Sequence, residues 1–211
     1  RVSARLMALS RPMPTVVTLH DYWYFCPNSQ LVRPDGALCA GPRGGWRCAT
    51  CGLAKLAGTL PAPLRWAAGV PFVYRHQVVW RALRTTDRMV APSDWVKEAY
   101  CRQGMPAERI QVIPHGLDAS RLAGGQPPRA RDAAGGLRLG FLGSIAWQKG
   151  LHTLIAAFNA LPADASLAIY GDPTVFPEYT AKLNRLARHP GICFAGPVDY
   201  RQVGQALSHL D

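Results

Sequence analysis

Residues 139–155, LGFLGSIAWQKGLHTLI, constrain the fold of this chain more than any other stretch. Leu139-Gly140-Phe141-Leu142 is a short apolar run and predicts a buried strand. A turn follows over 143–150. Beyond it Leu151, Leu154, Ile155 and Phe158 take helical spacing, with Leu161 next and Pro162 as the expected stop. A strand, a tight glycine-flanked turn and a helix start present backbone N–H groups and a positive dipole end to an anion. Lys149 adds a full charge at the helix mouth, so the stretch reads as a seat for a diphosphate. The pattern G-x5-K-G is not the dinucleotide fingerprint, because Ile145 stands where the second glycine belongs, nor a P-loop, because Gly150 and Leu151 follow the lysine. On the turn alone, an ordinary βα connection with a solvated lysine stays open as the alternative.

A chain of 211 residues accommodates one large or two small domains. Lysine and arginine total 24 against 13 aspartates and glutamates, a formal charge of +11 that favours anionic partners. The excess is mostly arginine scattered along the chain, which makes nucleic acid the weakest of these. No run approaches the roughly 20 apolar residues of a membrane span. The chain opens on Arg1 and ends within a repeating strand–helix pattern, so the expectation is a piece of a longer protein, truncated at both ends.

The first half begins with a basic helix end, Arg1 to Leu9, closed by Pro12 and Pro14. The run TVVTL at 15–19 predicts a strand buried on both faces, as in a parallel sheet. It delivers His20 and Asp21 to its carboxyl end, where open α/β sheets bind ligands. A histidine at a strand tip beside an acid and Tyr22-Trp23-Tyr24 favours a functional role over a structural one. Further on, RMVA at 88–91 predicts a strand, and Pro92-Ser93-Asp94 caps a helix through Tyr100 that Gly104 ends. IQVI at 110–113 is the next strand. It leads to a second strand-tip histidine, His115, and to Gly116, where a positive φ is expected.

Between these strands lies Cys26-x12-Cys39-x8-Cys48-x2-Cys51, set among turn residues with little hydrophobic periodicity. A long segment without structure of its own needs something to hold it. Tetrahedral zinc on four thiolates would do so, and Cys48-x2-Cys51 has knuckle spacing. An iron–sulfur cluster and unliganded thiols stay open; disulfides need an oxidising compartment that nothing in the sequence suggests. From 53 to 84 the chain turns helical with interruptions at Pro61, Pro63 and Pro71, mixing Trp66, Phe72, Tyr74 and Trp80 with arginines. This mixture suits a surface facing anionic lipid, or a core face opposite a solvated one.

After the glycine- and proline-rich segment at 124–136, the second half predicts three strands, 139–142, 166–170 and 192–195. They end at Gly143, at Gly171-Asp172 and at Gly196-Pro197-Val198, with helices around 179–187 and from about Tyr200 to Asp211.

These pieces together resemble glycosyltransferase family 4, retaining sugar-nucleotide transferases of the two-Rossmann GT-B type. The matching residues are VVTLHDYW at 16–23, the PS-opened helix at 92, VIPHGLD at 112–118, FLGSIAWQKGLHTLI at 141–155, LAIYGD at 167–172 and ICFAGPVD at 192–199. The cysteine segment is similar to that of the subset marked HDYW…CP.

The resemblance implies an α/β fold with two doubly wound Rossmann-like domains, each partly present. Residues 1–119 would be the second half of an acceptor-side domain carrying the four-cysteine loop, 120–136 a linker, and 137–211 the first part of a donor-side domain. It implies that His20 meets the donor sugar and phosphate, and that Lys149 neutralises the diphosphate leaving group. Donor contacts would fall on Gly143, Ser144, Gly150, Gly171, Gly196 and Val198, with Asp21, His115 and Gly116 lining the cleft. The implied partners are a UDP- or GDP-sugar, a glycan or lipid-linked acceptor, and an anionic membrane touched peripherally from the cytoplasm. No cofactor would serve catalysis; zinc at the cysteines would be structural. Two departures stand out. The family carries a basic residue where this chain has Ser144, and its E-x7-E pair falls beyond Asp211, so the fragment itself is expected to be inactive.

Two rival readings come from other classes. One is a zinc-stapled basic module holding nucleic acid or another anionic polymer, although 26–51 contains only Arg33, Arg43 and Arg47 as basic residues. The other is a sugar-nucleotide epimerase of the same fold, since fold does not fix chemistry.

Overall fold

A computed structural model of the chain describes residues 13–53, 67–118 and 136–211. The expected N-terminal helix, Pro61, Pro63, Trp66 and most of the linker lie outside the described residues. The chain divides into two compact units, Arg1–Gly116 and Leu117–Asp211.

In the first unit β1 (Val16–Thr18), β2 (Arg88–Ala91) and β3 (Ile110–Val112) form a parallel sheet in sequence order. Its register sets Val17 beside Met89 and Met89 beside Ile110, and all three side chains enter one core with Leu19, Phe25 and Tyr100. β1 alternates instead of being buried on both faces: Val17 and Leu19 are buried while Val16 is 63% exposed. Successive side chains of a strand point to opposite faces, and only one face of β1 is covered among the described residues.

Among the described residues three α-helices accompany this sheet: α1 (Trp46–Gly52), α2 (Val70–Arg84) and α3 (Asp94–Cys101). α3 opens as expected, with the Ser93 hydroxyl accepting the Val96 N–H at 3.4 Å. Pro71, expected to interrupt a helix, sits in the first turn of α2 and opens it. A first-turn N–H has no partner within the helix, so its loss there costs nothing. The segment at 26–51 also has more structure than its composition suggests. Val32 and Leu38 bridge antiparallel around the Pro34-Asp35-Gly36 turn, and α1 carries Cys48 and Cys51. A seven-residue helix ending in glycine is too short to announce itself by periodicity; it is held by packing on α2, where the Phe72 ring lies against Gly52. Gly116 does not take the expected left-handed conformation, because the chain leaves β3 without a turn.

In the second unit β4 (Arg138–Leu142), β5 (Ser166–Tyr170) and β6 (Ile192–Gly196) again run parallel in sequence order. Connecting helices α4 (Leu151–Phe158) and α5 (Pro177–Leu186) bury Leu151, Ile155, Phe158 and Leu183 against Leu167 and Ile169 of β5. α4 stops at Phe158, short of Pro162. The Asn159 side chain there donates to the Leu186 carbonyl at 2.8 Å and accepts the N–H groups of Arg188 and His189, tying the helix end to that of α5. The last helix, α6 (Val203–Leu207), is shorter than expected and follows a 3-10 turn at Tyr200–Gln202. Asp211 then returns to β4, where its carboxylate meets the Arg138 guanidinium at 2.7 Å and the Arg138 N–H at 2.9 Å.

Candidate functional site

The three strands of the second unit end on one cavity of about 290 Å3, near the lower limit of small-molecule sites. Gly143 and Ser144 after β4, Gly171 after β5 and Val198 after β6 all line it, so four of the expected donor contacts meet. Gly196 borders it through its carbonyl, which accepts the Gly171 N–H at 2.9 Å. Gly171 is required there: a Cβ at this position would fall 2.3 Å from the Gly143 carbonyl oxygen and 2.9 Å from Ile145. Asp172 and Tyr200, which periodicity does not single out, also line the cavity. The Asp172 carboxylate accepts the Thr174 N–H and hydroxyl, and these bonds hold its pKa below the ordinary carboxylate value. Tyr200 is 62% exposed.

The turn at 143–150 uses many of its own donors. The N–H groups of Gly143, Ala146, Lys149 and Gly150 go to Tyr170, Ser144, Ala146 and Trp147 carbonyls. Gly150 caps α4 with φ 73°, a left-handed conformation that favours glycine. In the first turn of α4 the His152 N–H is bonded to the Tyr179 hydroxyl at 3.2 Å. The N–H groups of Ser144 and Ile145 have no such bond among the described residues, nor do those of Trp147, Gln148 and Leu151, so donors are left at both ends of the turn. Lys149 is exposed and outside the cavity lining.

In the first unit the parallel order β1-β2-β3 brings the tips of β1 and β3 to the same edge. His20 and His115 meet there across β2, with ring centroids 5.3 Å apart. Both are exposed. The chain after His20 is tightly held. The Asp21 carboxylate accepts the Trp23 N–H at 2.7 Å, and the Asp21 carbonyl accepts the Tyr100 hydroxyl at 2.7 Å. Arg75 donates to the Trp23 carbonyl at 2.7 Å and stacks on its ring at 4.7 Å. Asp21 therefore positions the segment bearing His20. A second cavity of about 390 Å3 lies beside this segment, lined by Tyr22, Gln30, Leu38, Trp95, Arg102 and Gln103.

The model of Glycosyltransferase Family 4 matches residues 2–121, more than half of the chain. The chain belongs to glycosyltransferase family 4. No curated protein matches it. Among solved structures, Anabaena HepE in complex with UDP and glucose is similar at 19% identity and a TM-score of 0.56, over 99% of this chain and 47% of that one. HepE with UDP gives 18%, 0.57, 99% and 48%. A glycosyltransferase from Rickettsia africae is a more distant likeness, at 18% and a TM-score of 0.45, over 56% and 36%. This family 4 chain spans about half the length of HepE, and the likeness shows an α/β fold of the GT-B type.

Four of the five cysteines of the family 4 chain's first unit, Cys26, Cys39, Cys48 and Cys51, line one small cavity among Phe25, Leu31 and Pro42. Burial first, and then the other three thiols, push the Cys48 thiol up to about 11. Among the described residues no group of three or more His, Cys, Asp or Glu side chains stands in an arrangement that holds a metal. No helix among them is long and apolar enough to cross a membrane.

Proposed function

We propose that this chain carries the donor seat and catalytic histidine of a retaining glycosyltransferase that moves a sugar from a UDP- or GDP-sugar to a polysaccharide or lipid-linked acceptor of the cell envelope. The observation that carries this reading is the cavity at the carboxyl ends of β4, β5 and β6, which gathers Gly143, Ser144, Gly171 and Val198. The Ser144 and Ile145 N–H groups and the Lys149 ammonium are assigned to the departing diphosphate. Charge that develops there is stabilised by fixed donors, and catalysis takes no metal in this scheme. His20 is assigned to the donor sugar and its phosphate, with His115 and Gly116 beside it.

The acceptor reading draws on the first unit's larger cavity. The Trp95 ring is exposed, with the Arg102 guanidinium 5.0 Å over one face, and with Gln30 and Gln103 on the same cavity wall this suits the face and hydroxyl edge of a sugar. The reading includes peripheral contact with an anionic membrane from its cytoplasmic face; the contact itself draws support from α2, where Val70, Tyr74 and Val78 form an exposed apolar stripe continued by Arg81.

Calorimetric titration of the chain with UDP and GDP tests the donor seat. Saturable binding of one of them, weakened about tenfold by Lys149→Ala at low salt, is expected. Absence of saturable binding to both would overturn the assignment.

A further inference from the structure

Four of the six cysteines of the sequence line one cavity of about 20 Å3. Such a hole has room for one water-sized or ion-sized occupant. Phe25, Pro27, Leu31, Val32 and Pro42 make much of the remaining wall, with Asn28 and Arg47 as its polar side chains besides the four thiols. The sulfurs reach this point from three separate local structures. Cys26 lies in the turn after Phe25, Cys39 follows the hairpin closed by Val32 and Leu38, and Cys48 and Cys51 share a face of α1 at a three-residue step. Cys39 Sγ accepts the Gly41 N–H at 3.4 Å and lies 3.6 Å from the Gly41 carbonyl, which fixes this sulfur on the cavity wall. Arg47 lines the same cavity, and Arg75 lies close enough for its charge to act on Cys48.

We propose that Cys26, Cys39, Cys48 and Cys51 bind one zinc ion as a structural tetrathiolate centre. The side chains as they stand do not form a closed ligand set. All four already lie on the wall of the same cavity, so closure is a local rearrangement of side chains that share one space. Binding exchanges four S–H bonds for four Zn–S bonds and releases four protons to solvent, with no change in oxidation state. The resulting centre carries two negative charges, which Arg47 and Arg75 offset. Its mechanical effect is to tie the turn that follows His20 and Phe25 to α1 and, through it, to α2.

Protein prepared without chelator and analysed for metals should contain about one zinc per chain. Cobalt(II) added to the zinc-stripped chain should give the visible bands of a tetrahedral thiolate site. Cys39→Ser and Cys48→Ser should each lose most of the metal, and Cys101→Ser should keep it. If the serine variants do not fold, the cobalt spectrum of the unaltered chain still decides. A folded chain with no zinc and no thiolate-type cobalt spectrum would overturn the proposal, whether its cysteines titrate as free thiols or are found in disulfides. Iron with acid-labile sulfide would overturn it as well.

Discussion

The imidazoles of His20 and His115 lie 5.3 Å apart although β2 runs between the strands that carry them. In a parallel sheet all carboxyl ends fall on one edge, so two strand tips separated by a single strand put their first loop residues within reach of each other. Of the two, His20 is the better held, because Asp21 is bonded on both its carboxylate and its carbonyl.

That geometry predicts coupling. His20→Ala in the whole transferase should lower turnover by about 10²-fold, and His115→Ala by less. The double variant should lose little beyond His20→Ala, since residues in contact are not additive. Strictly additive losses in kcat/KM would show that the two act separately.

Lys149 is exposed, so its removal should not disturb packing. Lys149→Ala is expected to cut turnover by around 10²-fold or more, the range for a lost oxyanion-type contact, with the melting temperature unchanged. Unchanged turnover would mean that the lysine is merely solvated.

Gly171→Ala should damage both stability and donor binding, because the added Cβ collides with the Gly143 carbonyl at 2.3 Å. Relief requires the turn at 143–150 to move. Overpacking of this kind costs about 1–3 kcal/mol, and the displaced turn should bind UDP or GDP more weakly. A urea midpoint and nucleotide affinity equal to those of the parent chain would contradict the close approach.

The first unit should lose stability at both ends of the pH scale. Burial first, then Asp21 and Tyr24, push the Tyr100 phenol well above its ordinary 10.0. The folded unit therefore keeps a proton that the unfolded chain releases, and stability falls as pH rises above about 10. Burial first, then Arg75, hold His76 below its usual 6.5. The folded unit resists a proton that the unfolded chain takes up, so stability falls as pH drops below about 6.5. Urea midpoints across pH should show both limbs, with Tyr100→Phe flattening the alkaline one and His76→Gln the acid one. Unaltered limbs in these variants would assign the titration to other groups.

The sequence by itself determined the strands, the order of the two blocks and the positions of the strand tips. Short apolar runs such as LGFL at 139–142 and RMVA at 88–91 carry that information locally, because a strand between helices has to be apolar wherever it is covered. The Ser93 cap was equally local, since its hydroxyl bonds a backbone group three residues on. Tertiary structure alone decided which tips meet. The contact between His20 and His115, and the gathering of Gly143, Gly171 and Val198 on one cavity, depend on which strands pair and in what register. It also decided where donors are spent. Tyr179, from α5, takes the His152 N–H, and Tyr100, from α3, takes the Asp21 carbonyl, so these groups are committed by residues far away in the chain. α1 had no local signal at all. Seven residues are too few to nucleate a helix alone, and the packing of Phe72 over Gly52 supplies what propensity does not.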